Sequence, residues 1–141
     1  MDFFDTLIRY ETDLWNHLDR ALLSGGCVSL ATLDALRVVE RHPGRARVHE
    51  LQEDLRVTVG AASKLADRLE NAGLVLRSPN PDDRRSSILT LTATGRAEHA
   101  RGVEVLGAAL AEHLAGENDA IAGLTDAIRR LSGRLATVVV Q

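Results

Sequence analysis

At Gly73 the pattern of this chain changes from helical to extended. Before it, large aliphatic residues recur every three or four positions; after it come Leu74-Val75-Leu76-Arg77 and then Ser87-Ile88-Leu89-Thr90-Leu91. Between these two runs lies Ser78-Pro79-Asn80-Pro81-Asp82-Asp83, a turn-forming stretch with Arg84 and Arg85 at its far end. The segment is predicted to be a β-hairpin. An isolated hairpin buries too little to stand alone in water, so it must lean on the helices that precede and follow it.

Those helices are legible from their stripes and caps. A first helix is predicted over about 3 to 23, with Phe4, Leu7, Ile8, Leu14, Trp15, Leu18 and Leu22 as one buried stripe and Ser24-Gly25-Gly26 as its end. Ser29 caps a second helix that turns Leu30, Leu33, Leu36 and Val39 inward and stops at His42-Pro43-Gly44. A short third helix fits Val48 to Leu55. Thr58 caps a fourth, with Ala62, Leu65 and Leu69 inward and Gly73 as its left-handed C-terminal stop. The tight Arg56-Val57 turn between the last two makes a helix-turn-helix.

Thr92 caps a long fifth helix to about Ala115, aligning Val103, Leu106, Leu110 and Leu114 before Gly116 breaks it. The last helix carries Ile121, Leu124, Ile128, Leu131, Leu135 and Val138 at alternating spacings of three and four, an a/d seam. The fold class expected is mainly α: a winged helix-turn-helix over about 45–97, with a small β-hairpin wing and flanking helices over about 1–24 and 98–141. With so little core to cover two apolar terminal helices, dimerisation through them is expected.

Composition narrows the function. With 141 residues, 45% hydrophobic and 26% charged, the chain suits one globular domain. Its only aromatic residues are Phe3, Phe4, Tyr10 and Trp15, too few and too close together for a base-stacking platform. No apolar run approaches the roughly 18 residues of a membrane span, and the start Met1-Asp2-Phe3-Phe4-Asp5 is acidic where a signal peptide is basic. A cytoplasmic protein with no membrane partner is expected. The single cysteine, Cys27, excludes an internal disulfide and is read as a plain loop thiol with no cation adjacent in sequence. His17, His42, His49, His99 and His113 form no close ligand pair, and no glycine-rich phosphate loop, nucleophile or acid–base constellation stands out. No enzyme, metal or cofactor is expected.

The net charge of −3 argues against a nucleic-acid partner only until its distribution is considered. Residues 45–101 hold ten basic against eight acidic side chains, and the flanks hold seven against twelve. The mildly basic segment is the helix-turn-helix and wing, and local charge is what meets phosphates.

Three motifs within that segment are Asp67-Arg68-Leu69-Glu70-Asn71-Ala72-Gly73-Leu74-Val75, Pro81-Asp82-Asp83-Arg84-Arg85 and Leu91-Thr92-Ala93-Thr94-Gly95-Arg96. Together they resemble the MarR family of bacterial transcription regulators, tightly over residues 48–97 and by helix order elsewhere. The resemblance implies a homodimer paired through its first and last helices, with Ile121, Leu124, Ile128, Leu131, Leu135 and Val138 as dimerisation residues. It also implies a groove-reading helix, Thr58 to Ala72, whose DNA-binding positions are Thr58, Gly60, Ala61, Ser63 and Lys64, and a wing arginine in the minor groove. The family's Asp-x-Arg spacing falls on Asp83, which braces the wing, and Arg85; Arg84 and Arg77 are further DNA contacts. Arg68 is read first as pairing with Asp67 to fix the reading helix against the wing, and second as a DNA contact. Such a dimer covers a pseudo-palindromic operator in double-stranded DNA, as a repressor, and releases it on binding a small-molecule effector whose residues remain unassigned. At Val59-Gly60-Ala61-Ala62 the chain departs from the polar residues frequent there. That departure leaves a rival open: a winged-helix protein–protein interaction module that has lost DNA reading.

Overall fold

The computed structural model describes residues 1–138. They form α1 (Asp2–Ser24), α2 (Leu30–Arg41), α3 (Val48–Leu55), α4 (Val59–Asn71), β1 (Val75–Pro79), β2 (Ser87–Leu91), α5 (Ala93–His113) and α6 (Asn118–Val138). The chain divides into two compact units, 1–107 and the part from Ala108 onward, so α5 begins in the first and ends in the second.

The first unit is built on α2, whose apolar spacing puts Leu33, Ala35, Leu36 and Val38 fully out of solvent. Around it pack Leu51 of α3, Ala62, Ala66 and Leu69 of α4, and Val75 and Leu89 of the wing strands. Burial of each such large aliphatic side chain is worth roughly 1.5–3 kcal/mol, which is what holds two helices as short as α3 and α4 in place. The caps expected at Ser29 and Thr58 form: the Ser29 hydroxyl accepts from the Thr32 amide at 3.3 Å and that of Thr58 from Ala61 at 3.2 Å. The α2 amide of Leu30 also donates to Asp19 Oδ1 of α1 at 2.8 Å, an attachment invisible to local pattern.

The wing pairs Val75 with Leu91 through to Pro79 with Ser87. Ser78 and Pro79 therefore belong to the strand and not to the turn. Proline is tolerated there because β1 is an edge strand and Pro79 is its last residue. On the other edge, Leu89 donates to the Ala46 carbonyl at 2.7 Å, tying β2 to the segment before α3. Gly73, at φ 71°, ends α4 in the backbone region that only glycine enters freely, and its amide bonds Glu70 O. The wing leaves through Thr92, whose hydroxyl donates to Gly73 O at 2.6 Å and accepts from the Gly95 amide at 2.9 Å. A Cβ on Gly95 would stand 1.9 Å from Leu74 O, so no larger residue fits at that crossing.

The predicted single buried stripe of α1 is corrected. Only Leu18 and Leu22 are buried, while Phe4 is 57% and Ile8 47% exposed. Leu7 and Leu14 of the same stripe are only half-buried. On α5, Leu106 is buried but Val103 is exposed; Gly102 lies so near Leu33 that a Cβ would meet its Cδ1 at 2.6 Å. In the second unit α6 has no buried side chain among the described residues. Leu124, Ile128, Leu131 and Leu135 are exposed and Ile121 half-buried; the side chain of Val138 lies outside the described residues.

Candidate nucleic-acid interface

The helix-turn-helix is closed by one unusual residue. Arg56 follows α3 with φ 56° and ψ 41°, the one non-glycine residue described in the left-handed region. That conformation reverses the chain within two residues, and Val57 N then bonds back to Gln52 O at 3.2 Å. From Arg56 through Ala61 every residue is exposed. The run contains three of the expected contact positions, Thr58, Gly60 and Ala61. Ser63 is half-buried and Lys64 exposed, and among the described residues the Lys64 ammonium has no ion-pair partner.

Arg77 takes the ion-pair place that the sequence suggests for Arg68. Arg68 was the expected partner of Asp67, but Asp67 pairs with Arg77, whose guanidinium also approaches Glu70 at 3.5 Å. Arg77 sits on the core-facing side of β1, in register with Leu89, so its side chain runs back under α4 where both carboxylates lie. It is thus a brace between wing and helix. Arg68 is exposed and has no ion-pair partner among the described residues.

The wing turn is organised by Asn80, which is buried to 7% exposure and which sequence reasoning took as an ordinary turn residue. Its Oδ1 accepts from the Asp82 amide at 3.0 Å and its Nδ2 donates to Ser86 Oγ at 2.9 Å. Asp83 Oδ1 accepts from the Arg85 amide at 2.9 Å, so the carboxylate holds the backbone of the turn. The guanidinium groups of Arg84 and Arg85 are exposed, with no ion-pair partner among the described residues. Beneath the turn, Arg45, Arg47, Glu50, Asn80 and Asp83 line a hollow of about 440 Å³. Arg47 forks onto Glu50 at 2.7 and 3.0 Å, and Glu50 also accepts the Arg47 amide at 2.9 Å, starting α3. Burial works to raise the Glu50 carboxyl, but the hydrogen bonds and charge of Arg47 outweigh it and hold it below its ordinary range; hydrogen bonding to Glu50 raises Arg47 in turn.

A second cavity of about 340 Å³ opens between Trp15 of α1, Leu55 and Val57 around the end of α3, and Leu65 and Arg68 of α4. Its walls are apolar apart from Arg68 and two acids already engaged. Asp34 pairs with Arg37 at 3.0 Å, and Asp54 takes Arg41 at 3.1 Å and His42 at 2.9 Å. The hydrogen bond from His42 lowers the Asp54 carboxyl most; burial opposes it, and the hydrogen bond of Arg41 adds to the lowering.

Cys27 is not the plain loop thiol expected. It is buried, and the Arg101 guanidinium, which donates to the carbonyls of Gly25 at 3.1 Å and Gly26 at 2.8 Å, lies 3.9 Å from its Sγ. The cation comes from α5, 74 residues away, so adjacency in sequence could not show it. Among the described residues no group of three His, Cys, Asp or Glu is placed to hold a metal, and no helix is long and apolar enough to cross a membrane.

Known proteins resemble this arrangement. The sequence profile of the MarR family matches residues 28–87. The HTH-type transcriptional repressor MdtR of Bacillus subtilis is 38% identical over 68 residues, covering 48% of this chain and 43% of its own length. The chain spans between 33% and 59% of the length of the curated relatives it matches. Among solved structures, a mutant of Escherichia coli MarR complexed with operator DNA superimposes with a TM-score of 0.80 at 24% identity, over 93% of this chain and 94% of that one. CouR of Rhodococcus jostii RHA1, bound to p-coumaroyl-CoA, gives a TM-score of 0.80 at 20% identity, over 92% and 91%. At these identities the likeness is one of fold.

Proposed function

We propose that the chain is a member of the MarR family, whose profile matches residues 28–87, and that it is a homodimeric transcription regulator, a repressor, that binds a pseudo-palindromic site in duplex DNA. The observation that carries this reading is the pair of unneutralised exposed surfaces on one braced scaffold: the run from Arg56 to Lys64, and Arg84 with Arg85 on the wing. Arg77 links the elements that carry them, and an external polyanion is the natural partner of cations left without carboxylates. A reading helix in the major groove and a wing arginine in the minor groove follow from that layout. Thr58, Gly60, Ala61, Ser63 and Lys64 then face the groove, Arg84 and Arg85 the wing contact. Arg77 acts as a brace and not as a phosphate contact.

Dimerisation rests on α1, which leaves Phe4 and Ile8 of its stripe exposed, and on α6, whose seam residues Leu124, Ile128, Leu131 and Leu135 are exposed. The cavity between Trp15 and Arg68 is the proposed effector site, suited to an organic anion with an apolar body, because Arg68 is its one unengaged charge. Fluorescence anisotropy with a randomised library of duplexes of about 20 base pairs, two half-sites one helical turn apart, tests the reading. Tight binding that falls steeply with salt is expected. No binding at low salt would return the interaction-module reading.

A further inference from the structure

α4 begins with a surface that has methyl groups and almost nothing else. Val59, its first residue, is 59% exposed. Gly60 has open space where a side chain would be, and Ala61 is exposed. The preceding Thr58 hydroxyl oxygen is taken by the Ala61 amide. The first residues of a groove-reading helix are the ones that reach base edges, and here they bring no amide, carboxylate or guanidinium to form paired hydrogen bonds. A β-branched side chain left in water at that position gains free energy only by meeting an apolar partner. In the major groove of B-DNA the apolar feature is the 5-methyl of thymine. Lys64, one turn beyond Gly60, and Arg56 before the turn flank the patch with unneutralised charge, so its partner is polyanionic as well as methylated.

We infer that Val59 is a specificity-determining residue that reads the 5-methyl group of a pyrimidine, thymine in ordinary DNA, at one position of each half-site. The inference rests on the DNA-binding reading above and adds the chemistry of the base it selects. Because the contact is to the methyl and not to the Watson–Crick face, 5-methylcytosine satisfies it too. Cytosine-5 methylation at that position of a C-containing site therefore tightens binding.

The test uses the full-length protein and a duplex it enriches from a randomised library. Each thymine is replaced singly by deoxyuridine, which removes one methyl and leaves pairing intact. One thymine per half-site is expected to lose about fourfold in affinity, the equivalent of roughly 0.8 kcal/mol for a methyl-sized group. In Val59→Ala that penalty disappears while uracil at other positions acts as before. Replacing the same T·A pair by C·G loses affinity, and 5-methylcytosine restores part of it. A uracil scan of the parent protein that is flat at every position overturns the inference, as does an enriched site without thymine in its half-sites. A penalty that persists unchanged in a folded Val59→Ala protein also overturns it. The scan on the parent needs no variant, so a folding defect cannot mask the result. Failure to enrich any duplex would instead defeat the DNA-binding reading itself.

Discussion

Arg77 on β1, the first wing strand, and Asp67 on α4 form an ion pair that joins the two elements proposed to face the operator. Glu70 stands on the same side of the guanidinium, whose Nε is buried without a hydrogen bond. Arg77→Met keeps the apolar stem and removes the fork. It is expected to cost about 1 kcal/mol of stability, since the pair is part-exposed, and to weaken operator binding without changing the salt slope. Arg68→Met should leave the melting temperature within about 1–2 °C of the parent. Thermal melts and anisotropy at three salt concentrations separate the two; a lowered salt slope in Arg77→Met would make it a phosphate contact after all.

The wing should fail differently from the helix. Arg85→Ala is expected to weaken binding to every site that shares a narrow A·T-rich minor groove, with little change in base identity elsewhere. Lys64→Ala should lower affinity uniformly and reduce the logarithmic salt slope by about one per contact removed. An Arg85→Ala protein as tight as the parent at matched salt would displace the wing from the interface.

Ile128→Asp combined with Leu131→Asp places two charges on the exposed seam of α6. Sedimentation should show a monomer, with far-UV circular dichroism close to the parent because neither residue is buried in its own unit. A dimer that survives both substitutions would rule out α6 as the interface.

Asp54, bound by His42 and Arg41, carries a carboxyl held below its ordinary value, so it stabilises the folded state above the unfolded value of about 3.9. That contribution is lost as pH falls through the lower, folded value. Asp54→Asn should therefore melt below the parent at pH 6, by an amount under about 1 kcal/mol, and the gap should shrink as pH falls below the ordinary carboxylate value of about 3.9. A gap that stays constant to pH 3 would mean that the charge of Asp54 is not what stabilises.

Gly95→Ala forces a Cβ onto Leu74 O. A loss of about 3 kcal/mol or more, or failure to accumulate as folded protein, is expected, read by chemical denaturation. A variant as stable as the parent would show that the crossing can open without cost.

Local signals carried the helices, caps and hairpin. Ser29 and Thr58 cap where their side-chain chemistry says they must, and α3 spans Val48–Leu55 as its pattern suggests. Misplacements came where a distant partner decides. Asp67 has an arginine beside it in sequence, but helix geometry turns adjacent residues apart, and the wing returns Arg77 from ten positions on. Cys27 meets its cation only because α5 crosses the loop after α1. The stripe of α1 was recognisable as apolar, but periodicity cannot say whether the cover comes from the same unit. Asn80 looked like any turn asparagine, and only the folded hairpin shows that both its amide atoms are used inside it.

One hydroxyl group joins three parts of this molecule. Thr92 Oγ donates to the carbonyl of Gly73, where the reading helix has just ended, and receives the amide of Gly95, where the long helix has just begun. With no side chain at Gly95 to act as a spacer, the first turn of α5 meets Leu74, in the link from α4 to β1, almost backbone to backbone. A tilt of α5 about its first turn would reach the α4–β1 junction with no side chain between them to absorb it.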